Sequence, residues 1–169
     1  ASRLYTQPEH VLKAYDALNP IGNFTVAAAF GNTHGVYKPG NVKLTPEILK
    51  NSQDMVQKER GTGPMPLDLV FHGGSGSEKA KITESLGYGV VKMNIDTDTQ
   101  WAFTRPIREY MDTNHDYLMA QIGNPEGEDK PNKKHIDPRG WLVLGEKGVT
   151  ARLVDAFKDL NSYDQFDLG

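Results

Sequence analysis

Two histidines, each closing an apolar run and each followed by glycine, are the residues best suited to chemistry in this chain. His34 lies in Phe30-Gly-Asn-Thr-His-Gly-Val-Tyr-Lys-Pro-Gly-Asn41, and His72 in Leu69-Val-Phe-His-Gly-Gly-Ser-Gly-Ser77. Imidazole is the commonest metal ligand, and a strand end holds it more rigidly than a loop tip. A run of glycines turns backbone N–H groups toward an anion, and Ser77 is expected to open a helix whose N-terminus favours negative charge. Metal ligands beside a phosphate cradle suit an enzyme acting on a phosphorylated small molecule. A hydrogen-bonded pair of histidines without metal is the plainer alternative, because the spacing is not a local motif.

A second cluster is Asn94-Ile-Asp-Thr-Asp-Thr99. Alternation along a strand puts Asn94 and Asp96 on one side. Asn94 can donate to a developing oxyanion, and Asp96 or Thr97 can fix a hydroxyl or phosphate, unless they simply cap the next helix. Lys38 adds a point charge near the glycine loop or is an ordinary solvated lysine. Arg139 follows Asp137-Pro138 at the expected start of a helix, where its planar fork suits a second phosphate. A metal ion, an oxyanion donor and a phosphate clamp together fit carbonyl polarisation with enediolate stabilisation.

These residues need a scaffold. Thr6-Gln-Pro-Glu9 reads as a capping box, followed by Val11, Leu12, Tyr15 and Leu18 on one helical face. Phe24 to Phe30 is a nearly continuous apolar run, as in a strand covered on both faces. Thr45-Pro46 is expected to cap a helix with Ile48, Leu49, Met55 and Val56 buried. Leu67 to His72 and Val90 to Ile95 are further strands. Helices are expected from Ser77 to Leu86 and from Thr97 to about Met111. Gly123 to Asp137 reads as a long surface excursion, Trp141 to Leu144 and Val149 to Leu160 as two closing helices, and Tyr163 to Gly169 as a tail.

Strand and helix alternating with short connections give a parallel sheet. Three strands are too few for an open doubly wound fold or for the eight-stranded barrel of about 250 residues. Barrel phosphate sites are built by the loops after the last two strands. The glycine loop here follows the middle strand of three, so the α/β pattern predicts the C-terminal part of a (β/α)8 TIM barrel, about strands 6–8, with extra C-terminal helices.

Composition excludes other classes. With 169 residues, 37% of them hydrophobic, the chain fits one soluble globular domain. Nothing approaches the apolar length of a membrane span, about 18 residues, and the start does not read as a signal peptide. A net charge of −3 argues against a general nucleic-acid binder. With no cysteine, a metal must take histidine and carboxylate. A cytoplasmic location is compatible with all of this.

The His34 and His72 segments, with Gly89-Val-Val-Lys-Met-Asn-Ile-Asp-Thr-Asp-Thr-Gln100 and Gly123-Asn-Pro-Glu-Gly-Glu-Asp-Lys-Pro-Asn-Lys-Lys134, closely resemble class II fructose-bisphosphate aldolases from about Leu4 to Leu160. The insertion ending in Asp137-Pro-Arg139 resembles the dimeric subgroup specific for fructose 1,6-bisphosphate. The resemblance implies a zinc-dependent lyase of glycolysis and gluconeogenesis, releasing dihydroxyacetone phosphate and glyceraldehyde 3-phosphate reversibly. It assigns His34 and His72 to zinc, and Asn94 to the enediolate. Gly35, Lys38, Gly73, Ser75, Asp96 and Thr97 match positions around the ketose phosphate. The carbonyls of Thr33, Gly35, Gly73 and Ser75 match a monovalent-cation site, sodium or potassium, and Arg139 reaches the distal phosphate across a homodimer. In the family the third histidine ligand, the proton-handling aspartate and a mobile glutamate loop precede these motifs. Residues 1–169 are therefore expected to be the C-terminal half of a single barrel domain, active only with its N-terminal half. The alternatives are a tagatose-bisphosphate aldolase and a non-catalytic phosphate-binding or assembly fragment.

Overall fold

A computed structural model describes residues 5–32 and 43–166 of the chain. The order is α1 (Pro8–Leu18), β1 (Thr25–Val26), α2 (Glu47–Arg60), β2 (Asp68–Phe71), α3 (Lys79–Leu86), β3 (Val90–Met93) and α4 (Thr97–Thr113). Then come α5 (His115–Leu118), β4 (Ile122–Asn124), β5 (Gly127–Pro131), α6 (Lys133–Ile136) and α7 (Pro138–Asp159). These fall into two compact units, one of 1–97 with 159–169 and one of 98–158.

The first unit holds a three-stranded sheet in the order β1-β2-β3, with both pairings parallel. Strands that neighbour one another in chain order, with no reversal, are the pattern of a β/α barrel rather than of a doubly wound sheet. Leu69, Val70 and Phe71 of β2 are buried one after another, as a strand covered on both faces requires. Phe30 and Phe71 meet edge to face, centroids 4.7 Å apart, in a core shared with Val11, Leu49, Val56 and Ile82. At the other end of the strands, the buried Gln53 amide donates to Leu67 O (2.8 Å) and Tyr88 O (3.0 Å) and accepts from Leu67 N (2.9 Å). One side chain of α2 thus ties the starts of β2 and β3 together.

Several local expectations give way to tertiary bonds. Thr6 does not cap α1: its hydroxyl accepts from Ala29 N (2.7 Å), while its N–H donates to Ala29 O (2.7 Å). Those bonds take the backbone groups of residue 29 away from a ladder, and β1 ends at Val26 instead of Phe30. Pro46, not Thr45, holds the N-cap position of α2, and no side chain caps it. Ser77 does not open α3, which starts two residues later, because Ser77 N donates to Gly74 O in a tight turn. β3 stops at Met93, so Asn94 and Asp96 lie beyond the strand.

In the second unit, 123–137 is not an unstructured excursion: β4 and β5 pair as an antiparallel hairpin, and α6 follows. Its hub is Asn132, with no exposed surface, whose amide nitrogen donates to Ala120 O (2.8 Å) and Gly123 O (2.9 Å) and whose oxygen accepts from Asn124 (2.7 Å). The two closing helices are one, α7. A Cβ on Gly145 would lie 2.6 Å from the Phe103 ring, and one on Gly148 would collide with the Ala102 carbonyl, so the two glycines let a side chain and a carbonyl of α4 reach the backbone of α7. Packing gain keeps the helix continuous where propensity alone would end it.

Candidate active site

The ends of β1, β2 and β3 bring three polar side chains together. Asn94 donates its backbone N–H to Phe71 O (2.9 Å), and its carbonyl accepts from Gly74 N (2.9 Å). That lock carries the glycine loop across the end of β3. Gly73 and Gly76 take φ of 65° and 72°, values that favour glycine. A Cβ on Gly74 would overlap the Met93 side chain and press tightly on Asn94 O. Ser75 is buried in this loop.

The Asn94 side-chain nitrogen stands 3.0 Å from His72 Nε2. An amide nitrogen only donates, so the contact is a hydrogen bond in the tautomer whose Nε2 is the acceptor. On the other flank, Asn32 Nδ2 donates to His72 O (2.7 Å), while Asn32 Oδ1 accepts from Phe30 N (2.8 Å). His72 is therefore held at its backbone by the segment that follows β1 and at its ring by the residue that follows β3. Its ring is exposed at the strand end.

The donor chemistry at His72 suits a metal: an exposed imidazole whose ring nitrogen offers a lone pair to an amide donor. Among the described residues no three His, Cys, Asp or Glu gather as a metal cluster. Thr33, His34, Gly35 and Lys38 lie outside the described residues. Gly73, Ser75 and Asn94 come together with His72. Asp96 and Thr97 are exposed just past β3, with Asp96 directly before α4.

Arg139 sits at the start of α7, in the second unit, as expected. Its guanidinium grips Asp137, with Nη2 2.6 Å from Oδ2 and Nε 3.0 Å from Oδ1. Those bonds hold the Asp137 carboxyl down at about 2. Asn32, bonded to His72, and Asp137, bonded to Arg139, are partners that motif reading passed over. Asn32 lies two residues before His34 in the same segment, and an Asp two residues before an Arg at a helix start was the available signal for Asp137. Among the described residues, no helix is long and apolar enough to cross a membrane.

The family model described as "Fructose-bisphosphate aldolase class-II" matches residues 1–165. The fructose-bisphosphate aldolase of Haemophilus influenzae is 58% identical over 164 residues, 96% of this chain and 46% of that protein. The fructose-bisphosphate aldolase class 2 of Escherichia coli K12 is 56% identical over 165 residues, 97% of this chain and 46% of that protein. A crystal structure of fructose-bisphosphate aldolase from Campylobacter jejuni superposes with a TM-score of 0.86 at 57% identity, over 98% of this chain and 48% of that one. The chain spans about half the length of the curated relatives it matches.

Proposed function

The chain belongs to the class II fructose-bisphosphate aldolase family, which implies a metal cofactor, and we propose that it supplies part of the active site of a metal-dependent aldolase. The reaction is reversible cleavage of fructose 1,6-bisphosphate to dihydroxyacetone phosphate and glyceraldehyde 3-phosphate, a step of glycolysis and gluconeogenesis in the cytoplasm. Residues 1–169 form the C-terminal half of one barrel domain and work with its N-terminal half, in a homodimer of the whole enzyme. The single observation that carries this reading is the meeting of His72, Asn94 and the Gly73–Gly76 loop at the ends of adjacent parallel strands. Barrel chemistry sits at that rim.

His34 and His72 would hold zinc, with further ligands from the N-terminal half. A zinc ion bound there would supply Lewis-acid polarisation of the ketose carbonyl. The Asn94 amide, which stands beside the His72 ring, would donate to the substrate oxygen that gains charge. Backbone N–H groups of the glycine loop receive the ketose phosphate, with Gly35, Lys38, Gly73, Ser75, Asp96 and Thr97 around it. The carbonyls of Thr33, Gly35, Gly73 and Ser75 would hold a sodium or potassium ion, which would offset phosphate charge. Arg139 binds the distal phosphate across the dimer, through guanidinium donors that Asp137 leaves available.

The test is to join residues 1–169 to the N-terminal half and measure zinc content and cleavage of fructose and tagatose bisphosphates. Stoichiometric zinc and chelator-sensitive cleavage favouring the fructose compound are expected. Cleavage that survives metal removal, or a preference for the tagatose compound, would overturn the assignment.

A further inference from the structure

We infer that Asn32 is the positioning residue of His72, a brace that replaces the sheet ladder where β1 and β2 part beneath the site. The β1–β2 ladder pairs Thr25 with Asp68 and Val26 with Leu69, and β1 extends no further. Beyond it, the backbone groups on the β1 side are engaged elsewhere. Ala29 exchanges both of its bonds with Thr6, and Phe30 O accepts from Thr45 N (2.8 Å). On the β3 side, by contrast, pairing continues to Phe71 with Met93 and then through Asn94 N to Phe71 O. Among the described residues, strand pairing thus reaches the end of β2 from the β3 side.

Asn32 closes the other flank. Its oxygen accepts from Phe30 N and its nitrogen donates to His72 O, a crossing of 40 residues in sequence at 2.7 Å. Both functions of the amide are used, one fixing Asn32 to its own strand end and one reaching over. Serine and threonine are too short to reproduce both arms, and aspartate has no donor for the second. A shift of the His72 backbone swings its imidazole on the Cα–Cβ lever, and a metal site tolerates little displacement of its ligands. This inference rests on the proposed metal role of His72.

The test uses the full-length enzyme, both halves of the barrel in one chain. The isosteric Asn32→Asp keeps the acceptor for Phe30 N and removes the donor to His72 O, while Asn32→Ala removes both. Zinc affinity is read by competition with a chromophoric chelator, and ligand geometry by the absorption spectrum of the cobalt-substituted protein. Zinc should bind about 10–100-fold more weakly in both variants, the usual loss when an outer partner of a metal ligand is removed. The cobalt spectrum should change, and melting of the metal-free protein should stay near the parent's. A parental affinity and spectrum in Asn32→Asp would overturn the inference, whatever Asn32→Ala does. So would a collapse of metal-free melting in both variants, which would make Asn32 a structural residue alone. A parent enzyme that binds no zinc would instead overturn the metal reading, and this inference with it.

Discussion

Glycine does opposite work in the two compact units. In the first it shapes a rim: Gly73 and Gly76 adopt positive φ, and Gly74 is pressed against Met93 and the Asn94 carbonyl. In the second it joins helices: Gly145 and Gly148 keep helical geometry inside α7 and admit Phe103 and Ala102 of α4 to its backbone. The rim uses glycine for what its backbone can do, the helix pair for the side chain it lacks. A glycine in sequence thus states a permission, and its neighbours decide which permission is used.

If that division holds, damage to the rim should strike chemistry, and damage to α4–α7 should strike stability. The largest effect is expected at His72, where His72→Ala should reduce cleavage by the assembled enzyme to near background while its melting temperature moves little. Bound zinc measured in the same sample checks the cause. An active, zinc-loaded variant would remove His72 from the site. Asn94→Ala comes next, with kcat lower by about 10²–10³ and KM nearly unchanged, the usual loss of one oxyanion donor. An effect confined to KM would make Asn94 a substrate-positioning group.

The glycines themselves test the comparison more directly. Gly148→Ala must push against the Ala102 carbonyl, which is backbone and cannot swing aside. Overpacking of that kind costs about 1–3 kcal/mol. Denaturant midpoints should fall, with turnover per folded molecule kept. Gly74→Ala meets the end of the Met93 side chain and the Asn94 carbonyl, so it should displace Asn94 and lower kcat more than it lowers stability. The reverse pattern in the two variants would dissolve the distinction between rim and helix pair.

The same contrast explains what could be read from the sequence. The apolar run through Leu69, Val70 and Phe71 marks a buried strand because every position pays off in the core, and the structure has it at Asp68–Phe71. The sequential parallel order of the three strands was likewise legible from alternation. Thr6 and Thr45 looked like caps because capping is a local rule, but Thr6 found a partner 23 residues away in Ala29. Asn132 was invisible for the same reason: a polar residue in a charged, glycine-rich stretch gives no sign that it will be fully buried and triply bonded. The hairpin did leave a trace, since Asn124-Pro-Glu-Gly127 is a turn sequence between two short segments. At the site, His72, Asn94 and the glycine loop are together as expected, and Asn32, whose role depends on where a ladder stops, is what pattern reading could not supply.

The smallest expected effect lies at Asp137 and Arg139 of the second unit, and it isolates electrostatics from packing. The carboxyl accepts from Arg139 Nε, Nη2 and backbone N, and these bonds hold it at about 2, below its ordinary 3.8. A folded-state value below the unfolded one stabilises the fold above the unfolded pKa, and that contribution is lost as pH falls through about 2. Because the Arg139 side chain is 87% exposed, solvent screening keeps the contribution small. Melting temperature near neutral pH should therefore hardly register Arg139→Ala. The Asp137 carboxyl, followed by NMR, should titrate near 2 in the parent and return toward 3.8 in the variant. The same substitution should raise KM for the bisphosphate while nearly sparing proton exchange on dihydroxyacetone phosphate, which has no distal phosphate to bind. A parental midpoint already near 3.8 would mean that the pair does not persist in solution, and equal losses in both assays would tie Arg139 to the chemistry rather than to the distal phosphate.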